Sequence, residues 1–474
     1  MESRNIILKV FKDLYTVLTD ILYGTDPKWR TLDDLIAMIV EAVLCFARNL
    51  TEQYAGELSD EVYRNRSRLL PDLRTKQRGL KKTIVTEIGV LELPKDLYVD
   101  RESRKSVAPV LAALGIRPHQ KVTDGVKTAC VEAAAEMSYA KAAAIVTDGL
   151  LTRRTIGNYV KQCPDVALFE VPATKRVAEI LHIYMDEDHI ALQHTPKKKH
   201  TIVPFAVVAE GLRKEGKDGT GRNRLINPAY FVSRDLSTKA VAAESAGYIA
   251  ATYDLSALKH IYVHGDAGSW IRKALEDEIG AEHVLDGFHL TRELNRFARR
   301  FPDSEKQIQK TLKAALKRDD WEAFDAEAAA WEAKAADESQ KKKCGQFRTF
   351  MKNNWKAAVL RQDTNIIGSC TEPQVQPLCS CRISSLPMSW SLEGVGSLMM
   401  LRAARANGVD IRRPKKAEQQ TGGYARLLEE ERQAGIGGRH DWSVFEHEHW
   451  SFNQDSGTQH LIKLISLGGH RECA

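Results

Sequence analysis

The sequence predicts an α/β chain, on three observations. Four apolar runs, "HIYMDEDHIALQ", "HTIVPFAVVAEG", "AYFVSRD" and "HIYVHGD", read as strands, with the helical pattern "TKAVAAESAGYIAATY" before the fourth. Strand, strand, strand, helix, strand is the order in which an RNase H-like sheet begins. The stretch from Glu293 to Trp355 is charged, Ala-rich and helical, and reads as an all-helical insertion into that core. The residues ahead of the sheet are mainly helical, with one β-hairpin.

Taken in order, residues 1–60 show apolar positions at helical spacing (Ile6, Ile7, Val10, Phe11, Leu14, Leu18) and predict two or three amphipathic helices. Residues 61–120 form a basic segment with a hairpin in "KTIVTEIGVLEL" around Glu87-Ile88-Gly89. From Arg64 to Lys82 there are eight Lys or Arg against one acid, Asp72, an excess that suits a polyanion such as DNA. Residues 121–170 hold a helix-turn-helix pattern. Ser138 caps one helix, Asp148-Gly149 breaks it, and Thr152 caps a second with Ile156, Tyr159 and Val160 inward. Arg153, Arg154, Asn158 and Lys161 then face outward as candidate DNA-binding residues. The core follows at 171–294, the helical insertion at 295–362, the last part of the core at 363–410, and a tail of uncertain structure at 411–474.

The bulk numbers agree. With 474 residues, 43% hydrophobic and 28% charged, the chain reads as a soluble, multi-module cytoplasmic protein. The longest apolar stretch, from Leu35, is broken by Glu41 and too short to span a bilayer. Eight cysteines without paired spacing read as free thiols.

The chemistry lies in the carboxylates. Asp186 follows "HIYM" and Asp266 follows "IYVHG", each at the end of an apolar strand. Side by side in one sheet, both emerge at the same edge. Oxygen ligands of this kind select hard cations, Mg²⁺ or Mn²⁺, and two such ions serve phosphoryl transfer. A third carboxylate belongs to a later segment, and the pattern leaves Glu372 and Glu393 open. Asp286 and His289, in "HVLDGFHL", form a second constellation. Trp270 is a candidate for stacking an unpaired base.

"YMDEDHIALQ", "YVHGDAGSWI", "HVLDGFHL" and "IGSCTEPQVQPLCSCRISSLPMSWS" together resemble an ISLre-group bacterial insertion-sequence transposase, a DDE enzyme with a Mutator-like core. The resemblance runs from the N-terminal helices to about residue 408. It implies catalytic Asp186, Asp266 and Glu372 as the metal ligands, and the Asp-x-x-His signature at Asp286 and His289, with His289 acting in the site. It also implies that Ser380 supports the site and that Arg382 touches DNA. The implied activity is metal-dependent cleavage at element ends and 3′-hydroxyl strand transfer, by a homo-oligomer on paired terminal repeats and target DNA. Pro377 and Leu386 depart from the family pattern. The alternatives are a catalytically dead, transposase-derived DNA-binding protein and an RNase H-like nuclease without strand transfer.

Overall fold

The computed structural model describes residues 2–24, 29–163, 167–193, 199–214, 223–266, 281–366 and 376–411. These fall into two compact units, Met1–Ala133 with Ser138–Ile156, and Ala134–Met137 with Gly157–Ile411.

The first unit begins with two long helices, α1 (Glu2–Tyr23) and α2 (Leu32–Arg64), followed by the single turn α3 (Arg66–Leu69). Thr31 starts α2 through a capping box with Asp34, which satisfies two orphan backbone donors. Five strands follow: β1 (Leu73–Gln77), β2 (Lys81–Thr86), β3 (Gly89–Pro94), β4 (Leu97–Asp100) and β5 (Ser106–Val107). The expected hairpin is β2–β3, closing at Thr86↔Gly89, where Gly89 takes φ +110°. A second small sheet, β1-β4-β5, surrounds it in sequence, and the apolar pattern did not reveal it. Ile84, Leu91 and Leu93 of the hairpin pack with Ala55 of α2 and with Leu111, the latter in α4 (Pro109–Ala113). Three more helices complete this region, α5 (Asp124–Glu136), α6 (Tyr139–Thr147) and α7 (Arg153–Lys161). The chain passes between units inside α5 and again inside α7, so the expected helix-turn-helix region spans a unit boundary.

The second unit is built on β6 (Ile180–Leu192), β7 (His200–Ala209), β8 (Gly211–Lys214), β9 (Asn223–Ile226), β10 (Ala229–Phe231), α8 (Thr238–Thr252), β11 (His260–Gly265) and β12 (Glu282–Leu285). The main sheet runs β10-β7-β6-β11-β12. β10, β7 and β6 pair antiparallel, and β11 and β12 add in parallel beside β6. β7 is buried at seven consecutive positions from Val203 to Ala209, as a central strand covered on both faces requires. The four strands read from the sequence are β6, β7, β10 and β11; the β8–β9 hairpin was not anticipated.

The insertion is helical as expected. It comprises α9 (Gly287–Ala298), α10 (Glu305–Lys317), α11 (Trp321–Glu332) and α12 (Glu338–Leu360). Its core includes Phe297, Leu312, Phe324, Phe347 and Met351, and it also takes in Leu285 of β12. After it come one π-helical turn (Gln376–Ser380), the short α13 (Cys381–Ile383), the two-residue β13 (Ser389–Trp390), and α14 (Leu392–Ala406). β13 returns the chain to the sheet, pairing with the far end of β6 at Ser389↔Ala191. The result is a mixed α/β architecture, about half helical.

Candidate functional site

Strand alternation puts His182, Tyr184, Asp186 and Asp188 on one face of β6, and His260, Tyr262 and His264 on one face of β11. The two faces are the same side of the sheet. His182 Nδ1 and His264 Nε2 lie 2.9 Å apart, the Tyr184 and His264 rings stack at 4.7 Å, and His182 stacks near Tyr262 at 5.7 Å. All four rings are buried. Burial pushes the His182 pKa down to about 4. Burial, then the neighbouring His182, Arg361 and His283, holds His264 well below its usual value. Both imidazoles are therefore neutral at pH 7.

The acids continue this ladder of rings. The last paired position is Tyr184↔His264, and Asp186 and Asp266 each lie two residues beyond it in the chain. β11 ends at Gly265, whose carbonyl accepts from Asp286 N at 2.8 Å. β6 instead runs on, pairing Asp186 with Phe205 and Asp188 with Val203 on β7. Asp186 and Asp266 are both half-buried, and Asp186 Oδ1 accepts from Glu187 N at 2.8 Å.

The segment after the insertion returns to this same edge. Asp188 accepts the Ser380 hydroxyl at 3.0 Å and the Ser384 hydroxyl at 2.7 Å. Ser380 and Ser384 thus anchor this segment to β6. Burial, followed by Asp188, drives the Cys379 thiol well above its ordinary pKa, and Asp186 adds a smaller push. That thiol stays protonated within electrostatic reach of both carboxylates. Arg402 of α14 clamps the segment from the other side, donating to Leu378 O (2.7 Å), Ala135 O (2.5 Å) and Glu136 (3.2 Å). Glu372 and Trp270 lie outside the described residues. Among the described residues no group of three or more His, Cys, Asp or Glu is placed to hold a metal ion.

Asp286 is buried and caps α9, accepting from Phe288 N at 2.8 Å and His289 N at 3.4 Å. With its own N–H donating to Gly265 O, it ties the start of α9 to the end of β11. His289 is half-buried, with Nδ1 3.0 Å from an Arg292 nitrogen. Arg382 corrects its expectation. It is buried, donates through Nε and Nη2 to Ala134 O, and lies over the Trp390 ring at 5.0 Å. A guanidinium so enclosed braces the fold rather than meeting DNA. Glu393 sits in the first turn of α14.

Ser138 and Thr152 cap as expected, accepting from Lys141 N and Thr155 N. Asp148 takes the left-handed conformation, φ +47°, that breaks α6. Ile156 and Val160 are buried, Arg153, Arg154 and Asn158 exposed, and Lys161 half-exposed. The basic run is partly consumed within the fold. Arg78 pairs with Asp96 (3.0 Å) and Asp60 (2.7 Å), and Lys81 with Glu92 (2.8 Å).

A family profile described as Uncharacterised protein family (UPF0236) matches residues 26–420. The chain belongs to UPF0236. Among its relatives is a UPF0236 protein of Caldanaerobacter subterraneus subsp. tengcongensis, 26% identical over 412 residues, 85% of each chain. Another from that organism is 27% identical over 392 residues, 81% of each chain. A UPF0236 protein of Streptococcus gallolyticus, named for the vanSb 3′ region, is 23% identical over 329 residues, 65% of this chain and 69% of its own. In this UPF0236 chain the sequence reading overlooked Asp188 and Arg402. Asp188 carries a signal, the Asp-x-Asp alternation that puts it on the face of Asp186. Arg402 carries none, because its partners lie far away in sequence.

Proposed function

We propose that this UPF0236 chain is a DDE-type transposase with an RNase H-like core. It would cut DNA at element ends and join the freed 3′ ends to target DNA. One observation carries the reading: the parallel β6–β11 pairing, whose last pair, Tyr184↔His264, leaves Asp186 and Asp266 each two residues beyond it. Three more support it. The order β10-β7-β6-β11-β12, with three antiparallel strands and two parallel ones, is what an RNase H-like core requires. The segment that follows Glu372 is tied to β6 through Asp188. Finally, the name of one relative from Caldanaerobacter joins eleven loci of a single genome, the multiplicity a self-propagating element leaves behind.

The donor set suits a hard divalent cation. The acids are carboxylates, and the nearby thiol, Cys379, is held protonated by burial and offers no soft ligand. Asp186 and Asp266, with Glu372, would hold Mg²⁺ or Mn²⁺, two ions by the usual logic of phosphoryl transfer. Such ions, when bound, lower the pKa of an attacking hydroxyl and offset charge on the leaving oxygen. The chain's own residues set up the reaction. The neutral His182–His264 pair and its stacked tyrosines hold β6 and β11 in register, Asp286 fixes the end of β11, and Asp188 holds the last segment. A water oxygen would attack the phosphodiester phosphorus and release a 3′-hydroxyl, which attacks a phosphorus of target DNA and expels a second 3′-oxygen. Arg153, Arg154 and Asn158 are exposed on α7 to read the ends.

The test is a cleavage and joining assay on labelled DNA carrying the flanking ends of the gene, with Mg²⁺ or Mn²⁺. Wild type is expected to cut and join. Asp266→Asn is expected to lose at least ~100-fold in product while binding the ends within about twofold of wild type. Binding without cleavage by both proteins would return the reading to a DNA-binding protein. Cleavage without joining would leave a nuclease.

A further inference from the structure

Half of the exposed large apolar side chains among the described residues lie between Phe11 and Tyr54, on α1 and α2. On α1, Phe11 (57% exposed), Tyr15 (67%), half-buried Leu18 and exposed Leu22 recur at intervals of four, three and four residues. On α2, Leu32 (69%), Ile36 (50%) and Val40 continue through half-buried Val43 and Leu50 to Tyr54. These intervals are the seam spacing of helices that pack along their length.

Each helix also carries a separate stripe turned inward. On α1 it is Val10, Leu14 and Ile21; on α2, the half-buried Leu35, Ile39, Ala42 and Phe46. At about 100° per residue, the outward stripe of each helix lies roughly a quarter-turn from its inward stripe, in the same rotational sense. α1 and α2 form an antiparallel pair joined by a short connection, with Trp29 Nε1 donating to Ile21 O at 2.7 Å. In such a pair, equal displacements of the same sense turn both outward stripes to one side. The hairpin therefore presents a single apolar face made from two parallel seams.

We propose that this face is a homodimer interface, covered by the same face of a second copy to form a four-helix bundle. The area argues for that occupant. The exposed parts of these side chains amount to roughly 600 Å² per copy, scaling from the 150–250 Å² that an aromatic side chain buries. Ordering the half-buried members and the flanking residues brings this close to the ~800 Å² per partner of a stable interface. A two-helix face offers two seams side by side, and an identical pair of seams matches it in number, length and apolar character. The inference is independent of any cleavage chemistry.

The experiment is light scattering on the full chain after size exclusion, at micromolar concentration, for wild type and Phe11→Asp/Ile36→Asp. Wild type is expected at twice the chain mass. The double variant is expected as a monomer with unchanged helical circular dichroism, its dissociation constant raised at least ~100-fold by two charges buried without partners. Should the double variant misfold, Tyr15→Ala/Val40→Ala, which only trims side chains exposed in the monomer, must weaken the dimer in a dilution series. A monomeric wild type overturns the proposal and leaves residues 412–474 or another partner as the cover. A dimer that survives both variants overturns it equally.

Discussion

Asp188 accepts two serine hydroxyls from a segment almost two hundred residues further along the chain. Hydrogen bonds to a charged group contribute about 1.5–3 kcal/mol each, and the loss is greatest where donors are left unsatisfied. Asp188→Ala should destabilise the second unit by about 2–4 kcal/mol, read as a lower urea midpoint. An unchanged midpoint would show that the anchor contributes nothing. At this scale the sequence was only partly legible. The acids of β6 and β11 stand out because a carboxylate after an apolar strand is conspicuous. Asp188 did not stand out, and the resemblance put Arg382 on DNA, because neither residue's partner set is local.

Two glycines test the helices of the second unit in opposite directions. Gly396 is buried within α14, and a Cβ there would overlap the Arg234 carbonyl oxygen, part of the backbone. Gly396→Ala should therefore cost about 1–3 kcal/mol by overpacking. Gly247 is exposed in the interior of α8, and a Cβ there would meet nothing within 4 Å. Gly247→Ala should stabilise by up to about 1 kcal/mol through helix propensity. Thermal unfolding checks both, and the same sign for the two would contradict the packing argument. Among elements, the long periodic ones were legible: the N-terminal helices, the β2–β3 hairpin, the strands of the main sheet and the insertion. β13, with two residues, and the β1-β4-β5 sheet, with strands of two to five residues, carry too little periodicity to be read.

For the whole chain, the buried His182–His264 pair makes folding sensitive to pH. His182 binds a proton near pH 6.5 when unfolded and only near pH 4 when folded, and His264 is depressed in the same direction. The unfolded chain therefore holds more protons between these values, and stability falls as pH drops through that window. Above about pH 6.5 this contribution is complete and flat. The expected loss from pH 7 to pH 5 is of order 1–3 kcal/mol, seen as a falling Tm. A Tm unchanged over that interval would mean that the pair is not buried and neutral.

The sequence by itself determined the order of elements and the residues with chemical potential. Apolar period and turn chemistry are local properties, and a carboxylate after a strand is visible in a few letters. The tertiary structure decided what those residues meet. Strand pairing set β11 beside β6 as far as Tyr184↔His264, and the returning segment gave Asp188 its serines and Arg402 its carbonyls. The same closure took Arg382 out of solvent. Pairing and burial depend on segments far apart in the chain, so no local pattern encodes them.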